Sequence, residues 1–245
     1  MNFPLTPREF EAHLRDFGAA RYHGHHPFHR LMNGGDLSQA QLQAWVLNRF
    51  YYQAAIPRKD ANILARSTDP LFRRAWLQRI IDHDGAGDDA GGLARWLLLA
   101  DALDLRREDV IAHKGVLAAT RFAVDAYVHF VREHSLLEAV ASTLTELFAP
   151  TIIGERVDAL LSHYACLPME ALSYFQNRMD QAPRDANFAL DYVLEHARTA
   201  EQQRQVTEAL AFKCDVLWAQ LDALYQAYIT PGHVPPGATQ FGEKR

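Results

Sequence analysis

The sequence predicts an all-α protein, a single-domain helical bundle. Three observations lead there. Apolar residues recur with the i, i+3, i+4 rhythm of an amphipathic helix nearly throughout. Ser/Thr-x-x-Glu/Gln boxes, which satisfy the free N–H groups of a helix start, recur along the chain. Alternating Val/Ile/Thr stretches that would make half-buried strands are missing. The 245 residues are 49% apolar and 22% charged, enough for one sizeable core. No internal repeat divides them.

In chain order, "TPREFEAHL" opens a helix with Thr6 as N-cap, Pro7 at the first position and Glu9 closing the box. "SQAQLQAWVLNRFYYQAAI" repeats the device with Ser38 and Gln41, and Leu42, Trp45, Val46 and Phe50 form its apolar stripe. Pro57 is expected to break or kink it before "RKDANILARS". "DPLFRRAWLQRIIDH" follows and stops at "DGAGDDAGG", the clearest loop. Helices are then predicted over "LARWLLLADAL", "AATRFAVDAYVHFVREH", "SLLEAVASTLTELFAP", "GERVDALLSHY", "MEALSYFQNRMDQ" and "ANFALDYVLEHA". The last and longest opens at Thr199 and Gln202. Residues 1–230 are read as the helical domain and the Pro/Gly-rich 231–245 as a loose tail.

Net charge is -5, against the basic excess of a nucleic-acid binder. Cys166 and Cys214 stand far apart in no metal spacing, which fits a reducing compartment. No basic-then-apolar leader opens the chain, and no uninterrupted apolar run approaches ~18 residues. A cytoplasmic protein with no membrane span is the expectation.

Several constellations could carry chemistry. "RYHGHHPFHR" holds His23, His25, His26 and His29. His25 and His29 share a helical spacing, but no carboxylate or cysteine completes a metal set, and Pro27 interrupts. Capping and structural histidines are one reading and a functional His23 beside Tyr22 another. In "DHDGAGDDAGGL", Asp82, Asp84 and Gly87 sit where a calcium loop would want them, but Ala86 and Leu93 occupy ligand positions, which excludes calcium. His83 ends its helix there, where the helix dipole favours a cation. Arg49 and Gln53, and Tyr174 and Arg178, are four apart and share helix faces. Lys59 follows Pro57 and Lys213 stands in a strongly apolar stretch, and a buried cation needs an anion beside it. Pairing with Glu146 or an Asp would satisfy them. Several such cations in one bundle would also line a cavity for a polyanion, with Tyr22, Tyr127 and Tyr174 as hydroxyl donors.

"YHGHHPFH", "WVLNRFYYQAAIPRKDA", "DHDG" with its following "GG", "TRFAVDAYVHFV", "STLTELFAP", "YFQNRMDQAPRD" and "FKCDVLWAQLDA" together resemble the pyrroloquinoline quinone synthase family. The likeness runs over nearly the whole chain, with only the tail outside it. It implies a haem-oxygenase-like fold and a homodimer. It also implies an oxidase without metal or redox cofactor, with O2 as co-substrate. The implied reaction closes the last ring of a polycarboxylate quinone precursor and removes eight electrons, with hydrogen peroxide as a product. On the same resemblance, Arg49, Gln53, Lys59, Arg156 and Lys213 hold carboxylates and quinone oxygens. Tyr22, His23, Tyr127 and Glu146 orient substrate or move protons, His83 is the general acid/base, and Tyr174 and Arg178 face O2.

The family pattern A-P-x-I-H-x-x-R reads "APTIIGER" here, with Ile153 where the pattern has His. One donor to the oxygen site is missing or comes from elsewhere. Two other readings stand beside the oxidase. One is a metal-dependent oxidase, for which Asp125 and His129 are the available pair. The other is a non-enzymatic carrier of the quinone or its precursor. Cys166, in "YACLPM", reads as an ordinary small residue rather than a hydrolase nucleophile.

Overall fold

The computed structural model describes residues 3–241. The all-helical expectation holds: among these residues the only β-type pairing is an isolated bridge between Ala86 and Asp89. The α-helices are α1 (Pro7–Arg21), α2 (Pro27–Gly34), α3 (Gln39–Leu64), α4 (Pro70–Asp84), α5 (Gly91–Ala102), α6 (Arg107–Ile111), α7 (Ala118–Glu133), α8 (Leu136–Ala141), α9 (Ala149–His163), α10 (Ser173–His196) and α11 (Ala200–Tyr228). Three 3₁₀ turns join them, at His23–His25, Leu144–Phe148 and Met169–Leu172. The boxes at Thr6, Ser38 and Thr199 form as read, and Ser135 with Glu138 adds a fourth.

Two interior prolines lie within continuous helices. Pro57 does not end its helix, and Pro183 lies inside α10, so two predicted helices are one. A helical proline removes one hydrogen bond and crowds one carbonyl. Packing holds the helices regardless: α3 lies against α4, α5 and α7, and α10 against α5, α8 and α9. The opposite error occurs at "SLLEAVASTLTELFAP", predicted as one helix. Ser142 Oγ and Thr143 Oγ1 each donate back to a carbonyl three residues earlier, at 2.7 Å. Such local bonds compete with the helical ladder, and the chain tightens into the 3₁₀ turn that carries Glu146.

The stretch Leu136–His163 has a mean hydropathy of 1.4 over its most apolar window, which a search for uninterrupted apolar runs overlooks. It is not one rod but α8, the 3₁₀ turn and α9, and it carries Glu146 and Arg156 inward. The tail expected to be loose is tied down as far as it is described. Thr239 N–H donates to Gly115 O, and Tyr228 Oη donates to Thr239 O, both at 3.0 Å. Residues 242–245 lie outside the described residues.

Two apolar cores form. One gathers Phe28, Trp45, Trp96, Leu172, Phe175 and Leu224. The other gathers Phe10, Leu14, Trp76, Val140, Leu210 and Leu217. The candidate site is lined from both: Trp96, Ile153, Tyr174 and Phe175 come from the first, and Tyr22, Tyr52, Ile56 and Leu217 from the second.

Candidate active site

Nine of the twelve predicted site residues line one cavity: Tyr22, His23, Arg49, Gln53, His83, Glu146, Arg156, Tyr174 and Arg178. Helical spacing accounts for much of this. Arg49 and Gln53 project from one face of α3, and Tyr174 and Arg178 from one face of α10. Tyr22 and His23 stand at the corner after α1, His83 at the last turn of α4, and Arg156 on α9. Ile153 is buried in the wall beside Ile152, so that side is apolar. Lys59, Tyr127 and Lys213 do not line the cavity; they lie one layer behind it. Sequence reading missed Tyr52 and Thr145 in the lining, and Asp60, Arg79 and Asp185 behind it.

At one end the charges form a network of three cations, Lys59, Arg79 and Arg178, and three carboxylates, Asp60, Glu146 and Asp185. Arg79 is its hub. It grips Glu146 with both terminal nitrogens, at 2.6 and 3.1 Å, and reaches Asp60 at 3.2 Å and Asp185 at 3.1 Å. Arg178 reaches Glu146 at 3.4 Å and Asp185 at 3.3 Å. Asp60, fully buried, accepts from Lys59 at 2.5 Å and from the Trp76 indole at 2.9 Å. Burial opposes ionisation of Glu146, but Arg79 and Arg178 outweigh it and hold its carboxyl down at about 2. The ladder continues outward through Arg184, which bonds both Asp82 and Asp185.

The other end carries cations without carboxylates. Among the described residues neither Arg49 nor Arg156 has an acidic partner. Arg49 lies over the Tyr52 ring at 4.1 Å, and Arg156 over Trp45 and Phe175 at 5.5 and 5.6 Å. Burial and the charge of Arg49 pull Arg156 down to about 10. Its one polar partner is His29, whose Nδ1 accepts from Arg156 Nη2 at 3.2 Å, and Arg156 Nε is unpartnered. Burial, then Arg156 and Arg49, drive His29 down to about 2. Burial and Arg49 likewise hold His23 well below its usual value. Two guanidinium groups and an unpartnered buried donor have the chemistry to seat an external anion.

His83 has a defined tautomer. Its Nδ1 lies 3.0 Å from Arg79 O, an obligate acceptor, so Nδ1 carries the proton and Nε2 is the free lone pair. Nε2 is buried and unpartnered. Burial and Arg178 push this imidazole down to about 4, so it rests as a neutral base. Opposite, Tyr174 Oη donates to Gln53 Oε1 at 2.8 Å. Burial raises the Tyr174 phenol although Arg178 opposes it.

The histidine run divides its labour. His23 lines the cavity, His25 is exposed, and His26 caps α2 by accepting from Phe28 N–H at 3.0 Å. His29 backs Arg156. The metal-oxidase pair is not in the core: Asp125 and His129 are exposed on α7, engaged by Tyr51 at 2.8 Å and Arg132 at 3.1 Å. Among the described residues no three His, Cys, Asp or Glu side chains converge as a ligand set. In the excluded calcium loop Gly85 and Gly91 adopt φ of 89° and 77°. A Cβ on Gly91 would fall 2.4 Å from Gly85 N and 2.6 Å from His83 O.

The architecture defines an all-helical protein of the haem-oxygenase-like class, with a buried, cation-rich cavity. A "domain of unknown function with a heme oxygenase-like fold" from Shewanella denitrificans superposes with a TM-score of 0.74 at 14% identity, covering 97% of this chain and 99% of that one. A TenA homologue from P. horikoshii superposes at 0.69 with 13% identity, over 89% of this chain and 98% of the other. A model of the TENA/THI-4/PQQC family matches residues 11–223, and the chain belongs to that family. Among sequence relatives, "Pyrroloquinoline-quinone synthase" of Acidiphilium cryptum is 60% identical over 97% of both chains. The protein of that name from Xanthomonas campestris is 60% identical over 96% of this chain and 94% of its own. The "Bifunctional coenzyme PQQ synthesis protein C/D" of Methylorubrum extorquens is 59% identical over 98% of this chain, which spans 64% of that longer protein.

Proposed function

We propose that this chain is a pyrroloquinoline quinone synthase. It takes the 3a-(2-amino-2-carboxyethyl)-4,5-dioxo-hexahydroquinoline-7,9-dicarboxylate precursor, closes the last ring and removes eight electrons with O2, releasing hydrogen peroxide. A role as an enzyme of pyrroloquinoline quinone biosynthesis rests on about 60% identity to synthases over nearly the full chain. The single observation that supports the finer reading is the asymmetry of the cavity. Arg49 and Arg156 lack carboxylates at one end, and a neutral His83 stands near Tyr174 and Arg178 at the other.

In this mechanism substrate carboxylates seat on Arg49 and Arg156, in the bidentate geometry that suits guanidinium. Tyr22, His23 and Gln53 orient the ring system. His83 Nε2 takes a substrate proton, which its tautomer leaves it free to do. Arg178, fixed by Glu146 and Asp185, stabilises negative charge developing on O2, and Tyr174 donates to it once its hydroxyl turns from Gln53. The apolar wall at Ile152 and Ile153 leaves oxygen to these two donors. No metal or redox cofactor has a role in the scheme, and the protein acts as a cytoplasmic homodimer.

Anaerobic mixing of metal-free protein with the reduced precursor, followed by admission of O2, tests the reading in the visible spectrum. A bound species that converts to the quinone only after O2 enters is the expected result. A tight complex that never converts makes the chain a carrier. Activity lost to chelation and restored by iron makes it a metal oxidase.

A further inference from the structure

We propose that His29 is the positioning residue of Arg156, a neutral acceptor that fixes the guanidinium and leaves its charge uncancelled for a carboxylate ligand. That ligand is the one supplied by the synthase reading above, on which this inference rests.

His29 stands in the first turn of α2, and α2 packs against α9, which carries Arg156. The imidazole is 1% exposed and lies behind the cavity wall, whereas Arg156 is part of that wall. The contact between them runs from Arg156 Nη2 to His29 Nδ1, at 3.2 Å. A guanidinium only donates, so Nδ1 must accept. An imidazolium has no lone pair to offer, so the contact itself makes the ring neutral, with its proton on Nε2. The groups around it act in the same sense. Arg156 on α9, Arg49 on α3 and His26 at the start of α2 all oppose a positive charge there. His23 faces the ring edge-on, with centroids 5.7 Å apart.

Two other buried arginines near the cavity are fixed differently. Arg79 and Arg178 are held by Glu146 and Asp185, which orient them and cancel their charge at once. Arg156 is oriented by an uncharged nitrogen and by the faces of Trp45 and Phe175. These contacts restrict the fork but leave its full positive charge, and its Nε–H has no partner. Orientation and neutralisation are thereby separated. A carboxylate in place of His29 would supply both, and an incoming anion would then meet an arginine already paired.

His29→Asn and His29→Asp form the decisive pair. Each places an oxygen on the carbon that bears Nδ1; they match in size and differ by one charge. Arg156 and Arg49 would keep the aspartate ionised. His29→Asn should bind pyrroloquinoline quinone within about threefold of wild type in an absorbance titration, because a neutral acceptor is restored. His29→Asp should bind it about 10- to 100-fold more weakly. His29→Leu, which removes the acceptor and keeps the bulk, should lose about fivefold. In turnover the Asp loss should fall on KM for the precursor and not on kcat, since a carboxylate is held alike before and during reaction. Wild-type affinity in His29→Asp would overturn the proposal, and so would an Asn variant as weak as the Asp one. A wild-type protein that binds neither the quinone nor the precursor would instead break the synthase reading. The role of His29 is then decided without ligand, by NMR of protein labelled with ¹⁵N-histidine. At pH 7 the His29 signals, identified by their loss in His29→Asn, should show an unprotonated Nδ1 and a protonated Nε2. An imidazolium, or the Nδ1–H tautomer, would refute the neutral anchor.

Discussion

The two ends of the cavity carry cations in different circumstances. Around Arg79 three cations and three carboxylates neutralise one another. Around Arg156 there is no carboxylate among the described residues, but aromatic faces and a neutral histidine. Buried charge that is internally paired serves the fold and fixes geometry; buried charge left unpaired is a standing cost that a ligand relieves. The first end holds Glu146, His83 and Arg178 in place. The second leaves Arg49 and Arg156 without a carboxylate among the described residues.

The comparison breaks most visibly at its hub. Arg79→Leu strands Glu146, Asp60 and Asp185 together, and the expected loss is about 3–5 kcal/mol of stability. Thermal or urea unfolding measures it, and a loss under about 1 kcal/mol would show that the network does not act as a unit. Arg156→Met is the mirror case. It removes a cation with no acidic partner, so unfolding should shift little, while the quinone should bind about 10- to 100-fold more weakly, as for loss of charge-assisted hydrogen bonds. A large stability loss with unchanged binding would reverse the assignment of the two ends.

Acid sharpens the contrast further. The native His83 is depressed to about 4, below the ordinary 6.5, so between those values the unfolded chain binds the proton that the native state refuses. Stability is therefore full above about pH 6.5 and falls as pH drops toward 4. At pH 5 this group alone costs about 2 kcal/mol. Melting temperature recorded from pH 7.5 to 4.5 should decline, and His83→Asn should flatten part of that decline. The smallest effect belongs to the apolar wall. Ile153→His buries a new polar group for about 1 kcal/mol, with turnover within about fivefold of wild type. A larger gain in apparent affinity for O2 would mean that the wall limits oxygen use.

Much of this was written locally in the chain. Thr6, Ser38 and Thr199 announce their helices because a capping box is a contact across three residues. The pairs Arg49–Gln53 and Tyr174–Arg178 were legible because helical spacing fixes a shared face. Pro57 and Pro183 misled, since the packing that sustains α3 and α10 through a proline is not local. Asp60, Arg79 and Asp185 belong to no motif. They lie on three different helices, and only the tertiary fold brings them together. Neighbours in a helix normally point apart, so the adjacency of Lys59 and Asp60 gave no hint of their 2.5 Å contact.

The two glycines at the start of α5 set a distance. A Cβ on Gly91 would strike the carbonyl of His83 at 2.6 Å, and one on Gly92 would press the Tyr174 ring at 3.3 Å. The His83 backbone and the Tyr174 ring thus approach α5 more closely than two added methyl groups would allow. A single carbon atom added there, changing no charge, would push the last turn of α4 and the Tyr174 ring away from α5. The loop that imitates a calcium site is a spacer between two walls of the cavity.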